Sequence, residues 1–276
     1  MKYVLKILAA IILIILGKYV FNEHLGVHLI ADALIFFVSL IIVELLGELI
    51  KYRKHILQFI QSKTIYRNKE IRLSIAYLFR INVDGKYLLV KSRIKNTFQP
   101  VGGAFKTLPD SEKIFSKLEV RPDRLIETEN GIAKGDLRVH VKGKNVMAFL
   151  DWFNSKEDRE ISPWREFCEE LISTKILPHW EFRYINYKFK GTVQSPIITL
   201  DTGGKGMFLF EIYDLVINDE QKPILQELLK KGNSDQHIWV DDYLIQRLGH
   251  DEGSKKQIYD ISPQTKYAQN LKWSKK

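Results

Sequence analysis

Two apolar runs within the first fifty residues constrain this chain more than any other feature. Ile7-Leu8-Ala9-Ala10-Ile11-Ile12-Leu13-Ile14-Ile15-Leu16 is uninterrupted and sits in a segment from Tyr3 to Phe21, with Lys6 and Lys18 placed to snorkel. With its flanks it approaches the roughly 20 residues that span a bilayer. A second run, from Leu25 to Leu46, contains Ala33-Leu34-Ile35-Phe36-Phe37-Val38-Ser39-Leu40-Ile41-Ile42-Val43. The pair predicts a transmembrane helical hairpin over residues 1–50. A cleaved signal peptide competes for the first run, but the second run and the lack of a small-residue cleavage pattern between them argue against it.

Residues 51–72 read as a basic juxtamembrane linker helix, with Lys51, Arg53, Lys54, Lys63, Arg67, Lys69 and Arg72 against Glu70 alone. Basic residues mark the cytoplasmic end of a span, so both termini and the soluble region are expected in the cytoplasm. Asp32 and Glu44 lie in or near the second run, and two readings stand. Either both reach water at the interfaces, or Asp32, one turn after His28, faces other copies of the hairpin.

The remaining chain has an ordinary charged composition. Lys plus Arg total 42 against 33 Asp plus Glu, a net charge of +9, which suits an anionic surface or a nucleotide. Hydrophobic residues at 45% and charged residues at 27% exclude a disordered chain or a fibre. The single cysteine, Cys168, excludes an intrachain disulfide.

From residue 73 the pattern turns to strands. Leu73 to Val83, Asp84-Gly85 and Lys86 to Ser92 read as a β-hairpin, and a third extended piece ends in Phe98-Gln99-Pro100-Val101-Gly102-Gly103. Gly135 to Met147 reads as another hairpin. Arg183 to Lys190 and Met207 to Ile217 read as strands, Lys222 to Lys231 as a helix, and His237 to Asp241 as a strand entering a short helix. No P-loop, dinucleotide fingerprint or zinc spacing appears.

The informative stretch is Arg165-Glu166-Phe167-Cys168-Glu169-Glu170-Leu171. On an α-helix Glu166, Glu169 and Glu170 fall at i, i+3 and i+4 and share one face. A solvated acidic face is the plain explanation. Clustered carboxylates are also the oxygen donors that Mg²⁺ takes when it pairs with substrate phosphates.

This stretch resembles the Nudix box, G-x5-E-x7-R-E-U-x-E-E-x-G-U, where U is a bulky apolar residue. Arg165, Glu166, Phe167, Glu169 and Glu170 match its core, Glu157 stands eight positions before Arg165, and Gly103 resembles its first glycine. The chain departs from the box where about fifty residues separate Gly103 from Glu157, and where Ile172 and Ser173 replace the late glycine and apolar residue. Pro163 behind Ser162 looks like a helix start that leaves Glu157 outside.

The resemblance covers about Leu73 to Leu271 and implies an α/β fold, a Nudix-like domain over 73–276 with an α-β-α sandwich, a mixed sheet and a large insertion at about 106–150. That insertion reads as a lid, a dimer surface or decoration. A hairpin joined to such a domain is similar to the SMODS-associated NUDIX proteins, membrane effectors of bacterial cyclic-oligonucleotide antiphage signalling (CBASS).

That resemblance implies a cyclic-oligonucleotide sensor whose hairpin assembles in, and disrupts, the bacterial inner membrane. The partners it implies are a cyclic oligonucleotide, the lipid bilayer and further copies of the chain, with no nucleic-acid polymer. The alternative is a membrane-anchored Mg²⁺-dependent hydrolase of nucleoside diphosphate derivatives, in which Glu166, Glu169 and Glu170 hold the metal and act in catalysis. Ligand contacts are expected from Arg93, Lys95, Phe98, Gly102 and Gly103, the cations on phosphate and Phe98 on a base. Set against this, Phe98 reads equally as core and the two cations as surface residues.

Overall fold

A computed structural model describes residues 36, 38–44, 46–47, 50, 53, 56–93, 95–126, 133–253 and 256–273. The chain divides into two units, Met1–Phe59 and Ile60–Lys276. In the first, the described residues between 36 and 53 are helical.

Among the described residues no helix is long and apolar enough to cross a membrane. This corrects the expected transmembrane hairpin and, with it, the multi-pass inner-membrane location and the role of membrane-anchored effector. A span needs roughly 20 predominantly apolar helical residues to cross a hydrocarbon core about 30 Å thick, and no helix among the described residues supplies them. The first apolar run, His28 and Asp32 lie outside the described residues.

The second unit is built on a mixed sheet. Strand β1 (Glu70–Arg80) has alternate residues packed on each face, and both faces are buried. Ile71, Leu73, Ile75, Tyr77 and Phe79 enter the large core, while Ala76 and Leu78 enter a smaller core on the opposite face. After Ile81 the chain leaves this sheet. β2 (Asn82–Val83) and β3 (Lys86–Lys91) form the hairpin around Asp84-Gly85, but in a second sheet, so β1 is not the hairpin's first arm. β4 (Phe98–Gln99) pairs with β3 there.

β5 (Gly102–Ala104) returns to the main sheet, antiparallel to β1. The insertion then supplies helix α1 (Ser111–Lys117), β6 (Arg121–Pro122), β7 (Arg138–Lys142) and helix α2 (Gly143–Ser155). β7 lies antiparallel beside β1, and α2 puts Val146, Phe149, Leu150 and Phe153 into the large core. The insertion is therefore part of the sheet and core rather than decoration. The expected hairpin from Gly135 to Met147 is instead a strand running into a helix. Gly143 permits that junction because a Cβ there would lie 2.0 Å from the Tyr66 carbonyl oxygen.

Helix α3 (Trp164–Phe167) runs into a π turn (Cys168–Ile172), followed by α4 (His179–Phe182). β8 (Asn186–Gln194), β9 (Ile198–Thr199) and β10 (Lys205–Val216) complete the main sheet in the order β6-β7-β1-β10-β8, with β5 on β1 and β9 on β10. β1 and β10 are parallel, whereas β8 is antiparallel to β10. Helix α5 (Gln221–Lys231) leads to β11 (His237–Val240) on the second sheet, then to α6 (Asp242–Gln246) and α7 (Gln264–Asn270). Tyr267 and Ala268 of α7 cover the smaller core. Helices thus pack on both faces of a mixed sheet.

Candidate functional site

The Gly102-Gly103 pair sets the geometry of the site. Gly102 has φ of +146°, and a Cβ there would stand 2.1 Å from the Tyr77 carbonyl oxygen on the neighbouring strand. At Gly103 a Cβ would meet the Glu166 carboxylate at 2.3 Å. Without side chains, β5 lies flat against β1 on one side and against the start of α3 on the other. The Tyr77 hydroxyl accepts from the Glu166 backbone N–H at 3.2 Å, which fixes that helix start to the central strand.

Glu157 lies outside the helix, exposed in the turn after α2. Glu160 takes a place beside the site instead, with both its oxygens on Arg165 at 3.0 and 3.1 Å. Sequence spacing pointed to Glu157 and missed Glu160. The neighbouring Arg159 holds that segment, buried between Phe105 and Phe153 with its guanidinium 4.8 and 3.8 Å from their ring centroids. Arg159 also donates to the Phe153 and Glu160 carbonyls. No motif flagged Arg159, since its partners come from the fold.

The three motif carboxylates separate by depth. The π turn, in which the Ser173 N–H donates to the Cys168 carbonyl at 2.8 Å, winds Cys168–Ile172 more loosely than an α-helix. Glu166 and Glu170 are each 5% exposed, whereas the Glu169 side chain is 36% exposed. A shared helical face is therefore only partly realised.

Arg93 and Arg165 occupy the carboxylates. Arg165 donates to Glu166 Oε1 at 2.6 Å, to Glu169 Oε1 at 3.3 Å and to the Ala104 carbonyl at 2.9 Å. Arg93 donates to Glu166 Oε2 at 2.6 Å and Glu169 Oε2 at 2.8 Å. Both oxygens of Glu166 and of Glu169 thus carry a guanidinium. Burial works to push Glu169 up, but the hydrogen bond from Arg93 and the charge of Arg165 outweigh it and hold the group below the usual carboxylate range. Arg93 is itself raised, its burial being overcome by Glu169, Glu166 and Glu170.

Glu170 differs. Burial pushes it up to about 8, against a hydrogen bond accepted from the Gly102 N–H at 2.8 Å. The folded state therefore keeps a proton here that the unfolded chain, near 4.5, has lost. Stability attributable to this group is full below about pH 4.5 and falls as pH rises to about 8. Glu170→Gln keeps the acceptor for Gly102 and removes the ionisation. It is expected to raise stability at pH 8.5 by a few kcal/mol relative to the parent while changing it little at pH 4.5. Denaturant unfolding at the two pH values measures this, and an equal effect at both would refute the assignment.

The other expected ligand contacts are dispersed. Phe98 packs edge-on against Tyr259, ring centroids 6.0 Å apart, in the core of the second sheet. Lys95 is exposed on the loop beyond Arg93, its backbone N–H donating to Ser92 Oγ. Gly102 and Gly103 serve Glu170 and Glu166.

Mg²⁺ requires several free oxygen donors arranged around one point. Glutamates are the right type, but in this arrangement guanidiniums hold four of their oxygens and the Gly102 N–H a fifth. Among the described residues no group of three acidic, histidine or cysteine side chains is placed to hold a metal ion. The residues as arranged do not fit the metal.

A search of curated proteins finds no match. Residues 70–269, from the first residue of β1 into the last turn of α7, match the SMODS-associated NUDIX domain. That span contains both halves of the site, the glycine pair on β5 and the arginine-capped carboxylates of α3 and the π turn, and the chain belongs to the SMODS-associated NUDIX domain family.

Proposed function

We propose that this domain binds a cyclic oligonucleotide through the outer side of the Nudix-type site and leaves it intact. The carrying observation is the double guanidinium cap on Glu166 and Glu169. The cap offsets the carboxylate charge, and Arg93, its side chain 34% exposed, stands at the solvent side of the cluster with Lys95 two positions on, so a phosphate would compete with Glu169 for its donors. Guanidinium is the side chain best suited to a phosphodiester, because its planar donors bind two oxygens together. Membership of a CBASS-associated family supports a cyclic nucleotide as the ligand.

A hydrolase is the second reading. One observation favours it: burial pushes Glu170 up to about 8, which brings its proton exchange toward the neutral range that acid–base catalysis uses.

Titration calorimetry of the full chain with cyclic di- and trinucleotides, followed by chromatography of the recovered ligand, tests both readings. Binding with intact ligand is expected, weakened roughly tenfold or more in Arg93→Ala, since a charge-assisted bond is worth about 1.5–3 kcal/mol. Mg²⁺-dependent conversion of a nucleoside diphosphate derivative would establish the hydrolase instead, and absence of binding would refute the sensor reading.

A further inference from the structure

The aromatic outer strand lies apart from the carboxylate site. β8 forms one edge of the main sheet. Tyr187 and Phe189 project from the same face of this strand, 38% and 52% exposed, and both rest edge-on against Tyr213 at 5.5 and 5.6 Å. Just upstream, Trp180 is 68% exposed with the Arg183 guanidinium 3.8 Å from its ring centroid, and Tyr184 is 79% exposed. Exposed aromatics alternating with cations along one segment are unusual for a solvated edge.

The edge is built against pairing with another strand. Lys188 is exposed, and Lys190 is the extra residue of a bulge where β8 slips against Ile212 and Tyr213 of β10. Edge lysines and bulges are devices that block strand addition. A second copy is further disfavoured because it would bring two chains of charge +9 together. A small free ligand needs a concave site that covers most of its surface, and these side chains stand open along an edge.

We infer that this edge binds single-stranded nucleic acid, with bases stacked on Phe189, Tyr187 and Trp180. Two side chains on one face of a strand stand about 6.7 Å apart. That is twice the 3.4 Å step between bases along a duplex strand, so the bases must be splayed, as a single strand permits. Arg183, 3.8 Å from the Trp180 ring centroid, supplies positive charge beside the aromatics, while Lys188 and Lys190 lie with Asp214 and Arg80 on the other face of the strand. A phosphate between stacked bases would meet the Arg183 guanidinium first. A polymeric partner departs from the expectation drawn from sequence, and the inference stands independently of the carboxylate site.

Fluorescence anisotropy of the full chain with a labelled 12-nucleotide single strand and the matching duplex tests it. The single strand is expected to bind at least tenfold tighter than the duplex. Trp180→Ala and Phe189→Leu are each expected to weaken it about tenfold, since stacking is lost while Phe189→Leu keeps the apolar packing on Tyr213. Arg183→Gln is expected to flatten the salt dependence. Absence of binding, equal affinity for duplex, or full affinity in Trp180→Ala and Phe189→Leu would overturn the proposal. So would sedimentation showing that those two substitutions abolish self-association while single-strand binding persists, which would assign the surface to a second copy.

Discussion

Gly102→Ala is expected to destabilise the domain by on the order of 4 kcal/mol or more, a loss at the extreme of single substitutions. The new methyl group meets the backbone carbonyl of Tyr77 at 2.1 Å, and neither strand can yield without breaking the β1–β5 ladder. A φ of +146° adds strain that only glycine escapes. Gly103→Ala is the informative companion. Its methyl group strikes the Glu166 carboxylate rather than backbone, so the expected loss is about 2 kcal/mol. Urea unfolding of both variants measures the difference, and a Gly102→Ala loss below about 1 kcal/mol would contradict the packing described.

Arg165→Met is expected to destabilise by about 3 kcal/mol or more at pH 7. Methionine fills much of the volume but leaves Glu160 without its guanidinium and the deeply placed Glu166 with Arg93 alone, and undercompensated buried charge is what makes a broken ion pair costly. Adding Glu166→Gln is expected to recover part of the loss, because it removes one of the two undercompensated charges. The penalty also shrinks as pH falls, since burial raises the Glu166 carboxyl above its usual range and protonation neutralises it. Equal losses in the single and double variants would mean that Arg165 acts through packing alone.

Much of the second unit was legible in its residues. The Asp84-Gly85 turn, the long strand now seen as β10 and the helix α5 follow from local pattern, and each lies close to its expected bounds. The switch of sheets after Ile81 was not legible. β1 is buried on both faces, so its residues lack the alternation that would tell it from the hairpin arm that follows. The strand-to-helix junction within the expected Gly135 to Met147 hairpin was not legible either, because the Tyr66 carbonyl packed against Gly143 comes from outside that segment. At the site, the Arg165-Glu166 and Glu169-Glu170 pairs were visible as a motif. The role of Arg93 as their cap was not, since Arg93 comes from a loop 73 positions from Glu166. The π turn escaped because helical spacing was taken at 3.6 residues throughout.

The parallel pairing of β1 with β10 sets how this domain comes into being. Ile71 lies opposite Lys205 and Arg80 opposite Asp214, so the two central strands of the sheet pair across 134 positions of chain. Closing so long a loop costs entropy before any contact repays it, and such topologies fold slowly. A nascent chain that has emerged only as far as the Glu166 helix has its glycine pair and carboxylates but no β10 to bury the other side of β1. Until β10 has emerged one side of β1 stays uncovered, and in that interval the apolar strand is surface for chaperones to hold.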